Sequence, residues 1–365
     1  MSTEENGPRD EEKEAHDGDD EPHDGAPHVG KIYGIEDRPG QHITPIIFVG
    51  GTGRSGTHIV SRFLGRHGRL HAVGVECRFH VEELGFPGLL NGSVTKDAFL
   101  ERMRGFWWKG TMTGRERGMH KFMPPERFEA ALAEFDRSFD PDAPDAACRK
   151  LFIDLLWPEA MRKGASGLIE QSCDTIAAAS TLMRLFPEAK FIHVIRDGRD
   201  ASASRVSQTR GRSYPRTRMQ GLKWFEKRLR RIEEGARHIP DDKLLQVSLE
   251  DILLPPRHEA AKSVARFTGV RFGRRMRRFF YGKMDLSQAN AVRWKKGLSS
   301  RKEARIEKRY VEMIEGLEAD GVSSAPYLRA VYEARLPVPP PPPEPEPEEK
   351  TPVAEPAATE PEPSA

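Results

Sequence analysis

At 365 residues the chain is long enough for one large domain or two, and its net charge of +2 hides a division. Residues 1–28 set eleven acidic side chains against two basic ones, residues 337–365 set seven glutamates against Lys350, and the remainder therefore carries +17. That excess suits an anionic cofactor, an acidic substrate, nucleic acid or a membrane surface. Three cysteines (Cys77, Cys148 and Cys173) without a Cys-x-x-Cys pair argue against a disulfide framework and structural zinc.

In chain order, residues 1–28 hold almost nothing apolar and are expected to be disordered, with an acidic segment assigned to 1–40. Ile43–Val49 reads as a strand that breaks into Gly50-Gly-Thr-Gly-Arg-Ser-Gly-Thr57. Thr57–His67 then places Ile59, Val60, Phe63 and Leu64 on one helical stripe and stops at Gly68. Leu70–Val75 is the second strand, and residues 96–165 read as mostly helical. Phe106, Trp107, Trp108 and Phe122, close together there, are assigned to the core rather than to a substrate wall. Gly167–Gln171 is the third strand, and a helix over Thr175–Phe186 is expected after Asp174 as N-cap. Phe191–Ile195 is a buried strand ended by Arg196-Asp-Gly, with a helix expected over Asp200–Ser207. Leu222, Phe225, Leu229 and Ile232 form the packing stripe of a basic helix, and Leu244–Val247 is the fifth strand. Arg271-Phe-Gly-Arg-Arg-Met-Arg-Arg278 is the densest basic run, a solvated face or the border of a nucleotide site. No zinc-finger or RNA-recognition spacing makes it a nucleic-acid patch. From residue 337 a Pro/Glu tail is expected to be extended. Alternating strands and helices predict an α/β domain, a mainly parallel sheet flanked by helices with ligand loops at the strands' C-terminal ends.

The glycine loop admits three readings. A Walker A loop requires lysine after its last glycine, and Thr57 stands there. A dinucleotide fingerprint is satisfied by Gly51-Thr-Gly53-Arg-Ser-Gly56, with Glu76 as the acidic residue that follows the second strand. The third reading centres on Arg54-Ser55-Gly56-Thr57, where an arginine, hydroxyls, free N–H groups and a helix start grip one 5′-phosphate. Arg196 at a strand end can fork onto a second phosphate, and Ser204, two helical turns further on, can add a hydroxyl. A dinucleotide enzyme needs no second anion site; a nucleotide with separate 5′ and 3′ phosphates does.

The two motifs together resemble the sulfotransferase family, which uses 3′-phosphoadenosine 5′-phosphosulfate and has a P-loop-NTPase-like fold. The resemblance runs from about residue 43 to 300, and the domain is taken as 41–336. It looks closest to the protein-tyrosine sulfotransferase branch and its bacterial relatives. Beyond the two grips, Gly74-Val-Glu76-Cys-Arg78 is similar to that branch's Glu-Thr-Arg segment, and Leu185-Phe-Pro-Glu-Ala-Lys-Phe191 also matches. Ala291-Val-Arg293-Trp-Lys295-Lys-Gly297 is similar to the late basic segment that closes over the nucleotide. The resemblance implies that Gly53, Arg54, Ser55, Gly56, Thr57 and His58 hold the 5′-phosphosulfate, that Arg196 and Ser204 hold the 3′-phosphate, and that Arg293 and Lys295 close over them. It implies Glu76 as catalytic base, Arg54 as stabiliser of the leaving phosphate, and Arg78 on the acceptor side.

The chain also departs from the branch. His58 replaces a threonine, Gln171 stands where a lysine assists the transferring group, and a family tyrosine is missing from Val247-Ser-Leu-Glu-Asp251. His58 is the candidate to supply the missing charge, or to act as the base. The reading requires no metal. It expects a hydroxyl-bearing acceptor (peptide tyrosine, sugar, lipid or natural product), no nucleic-acid partner, no transmembrane segment and a cytoplasmic location, and it admits a homodimer. The rival classes are a nicotinamide-dependent oxidoreductase using the glycine loop alone and a non-catalytic nucleotide-binding protein.

Overall fold

A computed structural model describes residues 46–110, 117–208, 214–254, 257–284 and 291–334. The acidic segment 1–40, the start of the first strand at Ile43 and the tail from residue 337 lie outside the described residues. Among the described residues five strands form one sheet: β1 (Ile47–Gly50), β2 (Leu70–Ala72), β3 (Gly167–Glu170), β4 (Lys190–Ile195) and β5 (Leu244–Ser248). Their order is β2-β3-β1-β4-β5 and each neighbouring pair is parallel. In the register at the centre, Phe48 lies between Glu170 and Phe191.

β1 is buried along its whole length, so its residues read as a continuous apolar run rather than an alternating one. The two-residue period still divides the core. Phe48 faces a large aromatic cluster with Phe79, Phe86, Phe152 and Phe186, whereas Ile47 and Val49 face a second cluster with Val60, Phe63, Ile192 and Phe280. A third cluster joins Ile195 to Leu222, Phe225, Trp294 and Tyr310.

The helices that position the site are α1 (Thr57–Leu64), α2 (Gly198–Val206), α3 (Arg218–Ala236) and α4 (Arg274–Lys283). α1 is shorter than the expected Thr57–His67, because after Gly65 the Arg66 and His67 N–H groups return to the Phe63 and Leu64 carbonyls, three residues back, and the α-helical ladder stops. α2 is capped by the Asp197 carboxylate, which accepts from Arg199 N at 2.8 Å. α3 starts with a reciprocal capping box between Thr217 and Gln220 and buries the expected stripe of Leu222, Phe225, Leu229 and Ile232. The helix expected over Thr175–Phe186 spans only Ala179–Leu185. Asp174 does not cap it; its carboxylate pairs with Arg228 of α3, and the chain from Cys173 to Ala178 forms turns.

The strand order decides between the loop readings. In a dinucleotide fold the second strand lies beside the first, so that its terminal carboxylate reaches the ribose. Here β3 lies between β1 and β2, and β2 is at the sheet edge. From β1 the chain leaves toward β2, and from β3 it crosses back over β1 to β4. The C-terminal ends of β1 and β4 therefore form the topological switch point, where open α/β sheets bind ligands.

Candidate active site

The loop after β1 turns through left-handed backbone at Gly53 (φ 80°), Arg54 (65°) and Gly56 (96°). A Cβ at Gly56 would also lie 2.8 Å from Leu249, so that position requires glycine on two counts. For Arg54 the conformation costs about 1–2 kcal/mol, which marks this loop as shaped for a ligand. The N–H groups from Gly53 to His58 find no acceptor among the described residues. With the start of α1 they form an anion cradle.

The loop after β4 closes on this cradle. Arg196 donates from Nη1 to the Arg54 carbonyl at 2.9 Å, and Arg54 donates from Nε to Ser204 Oγ at 2.9 Å. Burial, followed by the charges of Arg196, Arg205 and Arg293, lowers the Arg54 pKa, while Glu76 opposes the shift. Four guanidinium groups thus converge on one place, which favours a multiply charged anion there.

The cavity has a volume of about 710 Å³ and is lined by Gly53, Arg54, Gly56, Thr57, His58, Glu76, Arg78, Arg196, Ser204 and Arg293 among others. It therefore gathers ten of the twelve residues assigned from sequence. Ser55 and Lys295 are not in its lining. The Ser55 side chain is fully buried against Gly51, where a Cβ would lie 2.3 Å from Oγ, and the Lys295 ammonium sits 5.4 Å above the Trp294 ring. Gln171 is buried outside the lining.

On the acceptor side His58 Nε2 and Glu76 Oε1 are 3.3 Å apart, with side chains 61% and 32% exposed. Glu76 therefore faces the start of α1. Arg78 pairs with Glu82 at 2.5 Å, its backbone held at φ 64°. Its N–H donates to Ser172 Oγ at 3.2 Å, and Ser172 Oγ donates to the buried Glu170 carboxylate at 2.7 Å. Glu170 also accepts from Ser172 N and meets His80 Nε2, each at 2.9 Å. Burial works against this carboxylate, but His80 and Ser172 outweigh it and hold its pKa low. Phe106 and Trp107 line the cavity; Trp107 is also core, with Nε1 donating to Glu82 at 3.0 Å.

Sequence reasoning missed two features. Arg205, next to Ser204, lines the cavity with its guanidinium 4.0 Å from the Tyr214 ring and 5.1 Å from Trp224. Asp200 clasps the late basic segment, accepting from Val292 N at 2.7 Å and Trp294 N at 2.9 Å. Burial and the neighbouring Asp197 push its pKa up to about 6. Among the described residues no cluster of three or more His, Cys, Asp or Glu side chains could hold a metal, and no helix is long and apolar enough to cross a membrane.

Fold and site define an α/β protein with an arginine-lined cavity at the switch point of a parallel sheet. The model of the sulfotransferase family matches residues 45–273, and the chain belongs to that family. It is an enzyme of sulfuryl transfer. Among solved structures it is similar to the sulfotransferase domain of the Synechococcus PCC 7002 olefin synthase, at 19% identity over 78% of this chain and 98% of that one, with a TM-score of 0.44. It is similar also to the sulfotransferase domain from the curacin biosynthetic pathway (17%, 73% and 96%, TM-score 0.45). A third is the sulfotransferase STF1 from Mycobacterium tuberculosis H37Rv (13%, 73% and 76%, TM-score 0.40). No curated protein matches the chain.

Proposed function

We propose that the chain transfers the sulfuryl group of 3′-phosphoadenosine 5′-phosphosulfate to an acceptor hydroxyl, in the cytoplasm, with no metal. The observation that carries this reading is the meeting of the two phosphate grips in one cavity, joined by the Arg54–Ser204 hydrogen bond. One grip alone would suit any phosphorylated ligand; two fit a nucleotide with phosphates on both ends of its ribose.

In the reaction the bond between sulfur and the 5′-phosphate oxygen breaks, and a bond from sulfur to the acceptor oxygen forms. The protein aligns the groups and neutralises charge. The cradle of N–H groups from Gly53 to His58 receives the 5′ end, and the Arg54 guanidinium and loop stabilise the charge that develops on the leaving phosphate. Arg196 and Ser204 hold the 3′-phosphate, with Arg293 closing from the clasped segment. Glu76 takes the acceptor proton, and His58, 3.3 Å from it, orients that carboxylate and faces the sulfuryl group. Arg78, fixed by Glu82 and Ser172, borders the acceptor.

Calorimetry with adenosine 3′,5′-bisphosphate, adenosine 5′-monophosphate and NAD tests the nucleotide. The bisphosphate should bind at least 10-fold more tightly than either of the others, and equal affinity for NAD would defeat the reading. A screen with sulfur-labelled donor over phenolic, sugar and lipid hydroxyls then identifies the acceptor.

A further inference from the structure

The positive charge at the active cavity leaves the basic run Arg271–Arg278 unexplained. Its helix, α4, buries Met276, Phe279 and Phe280 against the second core cluster and leaves Arg274, Arg275, Arg277 and Arg278 exposed. Phe279 is where this helix meets α1: the Arg66 and Arg62 guanidinium groups lie 4.8 and 5.6 Å from its ring centroid. Beside them is a concavity of about 320 Å³ lined by Arg62, Arg66, His67, His71, Lys163 and Arg275, together with small residues. Among the described residues no carboxylate lines it. Glu159, the nearest acid to Lys163, is shared between Lys163 at 3.2 Å and Arg162 at 2.8 Å, so it offsets only part of the local charge. Arg62, Arg66 and Arg275 have no acidic partner among the described residues.

The concavity lies at the opposite end of the sheet from the nucleotide cavity. α1 begins at the cavity with Thr57 and ends near Arg66, and the pocket continues along β2 (Leu70–Ala72) to Ala165, just before β3. It cannot be an extension of the nucleotide site. Burial first, and then the charge of Lys163, push the His71 pKa down to about 4.

We infer that this concavity, walled by Arg62, Arg66, Lys163 and Arg275, is a second anion site that takes a doubly charged tetrahedral oxyanion, free phosphate or sulfate or a phosphate monoester. Three guanidinium groups and an ammonium supply charge-assisted donors for tetrahedral oxygens, and arginine forks match such oxygens in pairs. Phe279 holds two of the guanidinium groups in place before the anion arrives, so less freedom is lost on binding. The volume exceeds that of one oxyanion and leaves room for the carbon of a monoester.

The test titrates inorganic phosphate into the full-length protein with the nucleotide cavity filled by adenosine 3′,5′-bisphosphate, at low ionic strength, following backbone amide resonances. Expected is a saturable shift of amides at 65–72 and 274–279. The variant Arg66→Gln/Arg275→Gln should weaken that binding at least 10-fold while leaving bisphosphate affinity within 2-fold. Lys163→Gln gives a second variant with less disturbance of the Phe279 contact. As a control, Arg301→Gln/Lys302→Gln on the remote helix Ser300–Ala319 should change nothing beyond the general effect of lost charge. Glucose 6-phosphate and vesicles containing phosphatidic acid separate a soluble monoester from a lipid headgroup as the source. Equal weakening by the control pair, or no saturable phosphate binding once the cavity is filled, overturns the proposal.

Discussion

Arg54 and Ser204, 150 residues apart in the chain, are joined side chain to side chain at 2.9 Å. The hydrogen bond ties the glycine loop to the helix that begins after β4, so the two proposed phosphate grips are one structure. Arg196, bonded to the Arg54 carbonyl at 2.9 Å, is part of it. Arg196→Ala should weaken adenosine 3′,5′-bisphosphate binding about 10- to 150-fold, since hydrogen bonds to charged groups contribute about 1.5–3 kcal/mol. The monophosphate should change little in the same calorimetric series. Losses of equal size for both would reduce Arg196 to a support for the loop.

The carboxylate at Glu76 separates binding from chemistry. Glu76→Gln keeps the shape beside His58 but cannot take a proton, so turnover should fall about 10²–10⁴-fold. Bisphosphate affinity should stay within a few-fold. His58→Ala, at the phosphosulfate, should damage both. Full turnover in the Glu76→Gln enzyme would move the base to His58.

Asp200 makes a third target because it holds the late segment by two N–H groups. Asp200→Asn keeps the size but removes the charge and turns one acceptor into a donor. Melting temperature should fall by several degrees, and bisphosphate affinity by about 10-fold, as Arg293 loses its anchorage. An unchanged affinity would show that Arg293 contributes nothing to nucleotide binding.

The carboxylates beneath Arg196 give the fold a pH signature. Glu250 is fully buried and accepts from Asp197 N at 3.1 Å; burial and then the Asp197 charge push its pKa up to about 7. A raised folded-state pKa means that the native protein binds the proton more tightly than the unfolded chain. The resulting stabilisation is complete below the usual glutamate range and is lost as pH rises through about 7. Compared with Glu250→Gln, the wild type should gain stability, on the order of 3 kcal/mol, between pH 8 and pH 4.5. Denaturant unfolding of both proteins across that range measures it; parallel curves would show that Glu250 titrates normally.

The strands were legible because each is a short apolar run bounded by glycine or charge, and a sheet buried on both faces produces that pattern. The two motifs were legible because a phosphate loop needs glycines and a hydroxyl at fixed offsets. Long-range commitments were not legible. Asp174 looks like a helix cap until Arg228, on another helix, claims it. Asp200 reads as a first-turn acid, but its partners are more than 90 residues away. Lys295 matched the basic segment by position, yet in the short helical turn Arg293–Lys295 only Arg293 reaches the cavity. The failure of the dinucleotide fingerprint is the same lesson: Gly51, Gly53, Gly56 and Glu76 satisfy it, and the strand order rejects it.

The cavity wall begins at Gly53 and ends at Arg293. Parallel strands can pair only after a crossover, and contacts between distant segments form slowly. A nascent chain that has emerged as far as α1 carries the whole glycine loop without the rest of the cavity; the wall is complete only when the segment clasped by Asp200 has been synthesised. Ligand protection against proteolysis should therefore appear all at once with chain length, not in proportion to it. In the finished protein a ligand of this cavity, at a hundredfold excess over its dissociation constant, adds about 2.7 kcal/mol to the stability of the folded state. The substrate thus acts as the last tie in a domain whose first strand is its middle one.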